Sequence, residues 1–211
     1  YILLNGESIG TCILFEGELI FSYKYNGQQF EINQVDGHYL LFNVNDLLRE
    51  HSFSCEVEEK INDININENL PESSSNNPEC LELAIEVDKY TRNTFSSANS
   101  TTNWAHAIIA GVSQVFASEM NLNISIVYTY IWETTDPYSS YTNSASSMLS
   151  ALKNYWISNN GNISRDLVHL MTKRSNTGTG GIAYRDALCS NNWGYAFSSV
   201  LNNNTNFNFP N

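Results

Sequence analysis

From residue 56 to residue 79 the chain reads E-V-E-E-K-I-N-D-I-N-I-N-E-N-L-P-E-S-S-S-N-N-P-E, with seven acidic side chains, one lysine and no aromatic residue. Such a stretch cannot bury enough apolar surface to offset the entropy of ordering it. It is expected to be an exposed, mobile linker of about twenty residues that proteases cut readily. Charge divides at the same place. Residues 1–80 carry 3 basic and 14 acidic side chains, residues 81–211 carry 7 and 8. Two units with different roles are expected: residues 1–58 and residues 80–211, joined by residues 59–79.

The formal net charge of −12 argues against a nucleic-acid binder, which needs a basic face to displace counterions from phosphates. No apolar run reaches the roughly 18 residues of a membrane-spanning helix. The chain starts at Tyr1 in what reads as a strand and ends at Asn211 in a polar tail, so it is expected to be a piece of a longer protein.

Before the seam the pattern is β. Cys12 to Phe15 and Glu18 to Tyr23 flank a Glu-Gly turn, Asn26-Gly27 is a strong hairpin signal, and Gln29 to Ile32 alternates with period two. Asp36-Gly37 and the run from Tyr39 to Val44 complete a meander of about five strands. After the seam the period switches back and forth. Leu81 to Val87 alternates as a strand. Trp104, Ile108, Ile109, Val112, Val115, Phe116 and Met120 fall on one helical face, with Thr101 or Thr102 as the expected N-cap. Asn123 to Trp132 is β-rich, and Met148, Leu149, Leu152, Tyr155 and Trp156 form a second helical stripe. Leu167 to Met171, Gly181 to Tyr184 and Gly194 to Phe197 read as short strands. The order implies right-handed crossovers and an α/β (α+β) fold: a mixed, mostly parallel sheet covered by helices, with the last short strand antiparallel at an edge.

Several catalytic motifs do not occur. The chain has no G-x-S-x-G elbow and no G-x-x-x-x-G-K-[ST] phosphate loop. The glycine-rich run from Ser175 to Gly181 lacks the lysine and leads into a strand, not a helix. A zinc helix of the H-E-x-x-H type needs two imidazoles one turn apart. His38, His51, His106 and His169 have no such partners, and structural roles are expected for them.

The run from Leu167 to Val200, with a strand, a glycine-rich loop and then G-I-A-Y-x-x-x-L-C, resembles the edge-strand region of reprolysin-like (adamalysin-type) metzincin zinc metallopeptidases, in particular their secreted bacterial branch. Leu83 to Asp88 is similar to that family's opening strand, the Trp104–Met120 stripe to its first long helix, and Ile131 to Tyr138 to its second strand and exit turn. The resemblance implies that residues 80–211 form the upper, N-terminal part of a metzincin catalytic domain, incomplete, with residues 1–58 the remnant of a β-rich pro-domain. It implies a zinc cofactor whose ligands, in H-E-x-x-H-x-x-G-x-x-H, lie beyond Asn211. In the full-length enzyme a zinc-bound water, activated by a glutamate, would attack a peptide carbonyl. This piece alone is expected to be inactive.

The resemblance also assigns residues. Gly181, Ile182, Ala183 and Tyr184 would bind a protein or peptide substrate by β-augmentation, with small side chains admitting its backbone. Cys55 would be a zinc ligand if the pro-segment holds a thiolate against the metal. It lacks the Pro/Gly surroundings of that switch, and a buried or disulfide-bonded cysteine is the plainer reading. Cys189 resembles the family cysteine paired beyond the zinc helix. The rival reading is a non-enzymatic extracellular α/β binding or adhesion module using exposed Tyr138 and Tyr141. A cysteine hydrolase built on Cys189 and His169 is a poorer third.

Overall fold

The computed structural model describes residues 2–4, 7–15, 18–35, 38–46, 55–58, 79–141, 143–188, 190 and 192–201. Five strands, β1 (Ile2–Leu4), β2 (Glu7–Phe15), β3 (Glu18–Tyr25), β4 (Gln28–Val35) and β5 (His38–Asn43), form an antiparallel meander in chain order. Asn26 (φ 50°) and Gly27 (φ 76°) both take the left-handed conformation of a two-residue hairpin turn. That turn fixes the β3–β4 register with Tyr25 opposite Gln28. A single 3-10 turn, Val44–Asp46, buries Val44 under the sheet.

The second sheet has six strands: β6 (Cys55–Glu58), β7 (Glu79–Val87), β8 (Leu122–Ile131), β9 (Leu167–Met171), β10 (Gly181–Tyr184) and β11 (Tyr195–Ser198). Their spatial order is β6-β10-β11-β9-β7-β8. All neighbours run parallel except β10 and β11, which are antiparallel. A short helix α1 (Lys89–Arg92) and the long helix α2 (Ala98–Met120) link β7 to β8; α3 (Ala145–Asn159) links β8 to β9. This is the mixed, mostly parallel sheet with helices that the periodicity predicts, but the last short strand is not an antiparallel edge: β11 lies inside the sheet, parallel to β9, and it is β10 that reverses direction.

Two-residue alternation along β7 separates the core into two layers. Leu83, Ile85 and Val87 pack with Trp104, Ala105, Ile108 and Ile109 of α2. Ala84 packs instead with Met148, Leu149, Leu152 and Trp156 of α3. The helices therefore cover opposite faces. The meander adds Ile20, with Ile13 and Phe15 beside it, to the α2 layer.

Three expectations need correction. Helix α2 starts before Thr101: Ser97 is its N-cap, accepting the Ser100 N–H at 3.0 Å on Oγ. Its polar first turn, Ala98 to Thr102, precedes the apolar stripe and leaves no periodic signal. The stripe is also shorter than read, because Val115 and Met120 are exposed. Residues 56–58 and Glu79, assigned to the polar stretch, are strand residues of the six-stranded sheet. Residues 59–78 lie outside the described residues.

Candidate functional site

The sheet's chemistry concentrates at β10 and the loop that leads into it. Gly178 (φ 85°) turns that loop. Thr177 Oγ1 lies 2.9 Å from both the Thr179 carbonyl and Ser199 Oγ. Thr179 Oγ1 donates to the Gly181 carbonyl at 2.9 Å and accepts the Gly181 N–H at 3.3 Å. Ser199 N–H donates to the Gly180 carbonyl at 2.9 Å. Thr177, Thr179 and Ser199 are buried, so their hydroxyls brace backbone that has lost water. The loop stiffens the entry to β10.

β10 is held on both sides. β11 pairs with it antiparallel, Ile182 opposite Phe197; β6 pairs with it parallel, with Gly181, Ile182, Ala183 and Tyr184 opposite Cys55, Glu56, Val57 and Glu58. The four residues assigned to substrate thus lie on one strand, and an extended segment of the chain itself occupies its outer side. Gly181 has a nearer reason for being small than peptide approach: a Cβ there would stand 2.9 Å from the Phe197 carbonyl of β11. At the other end Tyr184 packs edge-on against Trp193, centroids 5.0 Å apart. The Lys153 ammonium caps Trp193 at 3.3 Å from the ring centroid, and burial lowers its pKa.

The most strongly perturbed carboxylate is elsewhere. Glu86 of β7 is fully buried on the α3 side, taking hydrogen bonds from the Tyr138 hydroxyl and from Trp132 Nε1 at 3.3 Å. Burial pushes its pKa up to about 7, opposed by hydrogen bonds from Tyr138, Trp132 and Trp156. No hydrogen bond of normal geometry reaches its Oε1. Tyr138 is correspondingly buried and not an exposed recognition residue, which removes one of the two aromatics on which the adhesion reading rests; Tyr141 is exposed.

The histidines serve the fold. His169 Nε2 lies 2.9 Å from Ser198 Oγ on the neighbouring strand, and burial lowers its pKa to about 4. His106 Nε2 lies 2.9 Å from Thr129 Oγ1, tying α2 to β8. His38 is exposed on β5, and His51 lies outside the described residues. Among the described residues no group of three His, Cys, Asp or Glu side chains could hold a metal ion, so the described residues do not fit a zinc centre. Cys55 stands opposite Gly181 by its backbone; its side chain and all of Cys189 lie outside the described residues. Cys12 and Cys80 are free and exposed.

With this geometry established, comparison with known proteins identifies the scaffold. A reprolysin sequence model, described as Metallo-peptidase family M12, matches residues 77–209, well over half of the chain. The chain belongs to metallopeptidase family M12. The M12 match begins at the seam and takes in every element from β7 to β11. Among solved structures, metalloproteinase-II from Bacteroides fragilis superposes with a TM-score of 0.51 at 13% identity, over 90% of this chain and 62% of that one. At that identity the likeness is one of fold, and it reaches across the meander as well as the M12 region. The M12 chain thus spans less than two thirds of that protein's length. A chain in a structure of a chaperone–substrate complex aligns at TM-score 0.46 and 7% identity, over 88% of this chain and 28% of that one. A search of curated proteins found no match.

Proposed function

We propose that this chain is the scaffold portion of a secreted zinc-dependent endopeptidase made as a precursor. In this reading residues 1–58 are the pro-part, residues 59–79 the connection that is cut, and residues 80–211 the upper half of the catalytic domain. The zinc ligands come from sequence outside these 211 residues. Family M12 membership supports the peptidase class, and the partial span of the metalloproteinase-II fold supports a missing portion. The observation that carries the reading to a substrate is the β6–β10 ladder. An extended segment lies along Gly181–Tyr184 residue for residue, so the outer side of that strand accepts peptide backbone. Substrate would take the same place, held by main-chain hydrogen bonds that ask little of its sequence.

The chain's own residues then have definable tasks. The Thr177–Thr179–Ser199 hydroxyls hold β10 straight at its entry, and β11 supports it from within. Tyr184, Trp193 and Lys153 wall its far end. In this reading the zinc ligands lie beyond Asn211, and the 211-residue chain is expected to be inactive. The test is a version extended past Asn211. It should bind zinc stoichiometrically and hydrolyse an unstructured protein, whereas the 211-residue chain does neither. An extended protein that takes up no zinc rejects the peptidase. Limited proteolysis should cut within residues 59–78, and resistance there counts against the pro-part boundary.

A further inference from the structure

Strand β10 sorts its side chains by face. Ile182 and Tyr184 pack in the layer under α3, and alternation turns Ala183 to the other face. Residues directly opposite one another on paired strands share a face, whether the strands run parallel or antiparallel. A residue that any extended segment brings opposite Tyr184 therefore stands on the α3 side of the sheet. The segment that lies along β10 places a glutamate at each α3-side position, with Glu56 opposite Ile182 and Glu58 opposite Tyr184.

A cation stands at the second of those positions. Lys153, from the middle of α3, holds its ammonium 3.3 Å from the Trp193 ring centroid and 5.5 Å from that of Tyr184. Two aromatic faces attract the charge but offer it no oxygen acceptor. Among the described residues no carboxylate lies within ion-pair distance of Lys153. Its charged neighbours are engaged with other groups. Arg185 lies 3.7 Å from Asp186, and Arg165 stacks on Trp156 and donates to the Tyr195 hydroxyl at 2.9 Å. Partial burial costs the Lys153 ammonium hydration that the rings only partly return, and its pKa falls accordingly.

We propose that Lys153 is a specificity-determining residue of the β10 groove, selecting substrate segments that carry a glutamate at the position paired with Tyr184. The proposal rests on the peptidase reading and names its substrate class. Reach permits it. Cross-strand Cβ atoms lie about 5 Å apart, and a glutamate side chain together with the flexible four-carbon stem of a lysine spans the rest. Aspartate, one methylene shorter, should be the weaker ligand. Overall charge does not oppose an acidic substrate, because residues 81–211 carry 7 basic and 8 acidic side chains and the acidic excess sits in residues 1–80.

Peptides in which a single glutamate is moved stepwise along an otherwise uncharged sequence test this in the extended, zinc-loaded protein. At one position glutamate should be favoured over glutamine by about fivefold in kcat/KM, mostly through KM, which is the size of a partly exposed ion pair. The adjacent positions face the other side of the sheet and should discriminate by less than about twofold. Added salt should shrink the preference. Lys153→Arg should keep it, Lys153→Gln should abolish it, and Lys153→Glu should turn it over to lysine. Only ratios between peptides are read, because any change at Lys153 also alters the packing on Trp193. Hydrolysis without a preference, a preference equal at adjacent positions, or one that survives Lys153→Gln overturns the proposal and leaves the peptidase standing. If the extended protein takes up no zinc and cuts nothing, the peptidase reading fails and the subsite fails with it.

Discussion

The two sheets are built on different logic. The meander is a run of hairpins in which every strand pairs with its neighbour in sequence, and among the described residues few of its side chains are buried. Its β5 leaves Tyr39, Leu40 and Leu41 at least half exposed, and Leu14 of β2 is 78% exposed. The six-stranded sheet pairs strands far apart in sequence and is packed on both faces, with Trp156, Tyr138, Tyr195, Phe197 and Met148 almost wholly enclosed. The first sheet gets its geometry from turns and the second from burial. The meander should consequently be the weaker unit, attached to the stronger one through Ile20 and its neighbours and able to leave it.

Removing a large side chain from the packed sheet sharpens this contrast most. Trp156 is fully buried, meets Tyr128 edge-on at 5.6 Å between centroids, and lies under the Arg165 guanidinium. Trp156→Ala should cost about 3–5 kcal/mol, read from the urea midpoint of the main unfolding transition. A loss below about 1 kcal/mol would mean that the α3 layer does not govern the sheet's stability.

The next effect is hidden in the wild-type protein because a buried glutamate and a half-buried histidine oppose each other. Glu86 has a folded pKa near 7, above its ordinary 4.5, so its contribution is most favourable below pH 4.5 and is lost as pH rises toward 7. His169 has a folded pKa near 4, below its ordinary 6.5, so it stays neutral in the fold. Its contribution is present above pH 6.5 and is lost as pH falls toward 4. Each change amounts to about 3 kcal/mol, with opposite sign in nearly the same window. Glu86→Gln should leave a stability that climbs from pH 4 to 6.5, and His169→Gln one that falls from pH 4.5 to 7, both measured by denaturant unfolding across that range. If neither variant tilts the pH profile, the burial of these two groups is not what sets their titration.

The same division decides what the sequence discloses. Asn26-Gly27 announces its hairpin because a two-residue turn is a local object, and the meander follows from a few such turns. The α2 and α3 stripes are equally local. β6 gives no such signal: its pairing partner lies over 120 residues away, and the alternation of C-E-V-E is only four residues long and runs straight into the polar stretch. Glu86 misleads for a related reason. In L-E-L-A-I-E-V, Glu82 and Glu86 occupy equivalent alternating positions, yet Glu82 is exposed and Glu86 is sealed by Trp132, Tyr138 and α3. Only the chain that returns over that face distinguishes them. Gly181–Tyr184 was recognisable as a strand with a glycine entry, but the strand paired along it was not.

The smallest effect tests whether the two sheets melt separately. Gly27 sits at φ 76° in open space, so an alanine there meets no neighbour and suffers only the strain of left-handed backbone. Gly27→Ala should destabilise the meander by about 1 kcal/mol. Amide exchange should quicken across β3 and β4 and stay unchanged in β7 and β9, where protection comes from the two helical layers. Equal quickening in both sheets would show one cooperative unit, because a perturbation confined to a turn reaches the far strands only if unfolding the meander unfolds everything. In that case the Ile20 contact is a structural joint and not a detachable one.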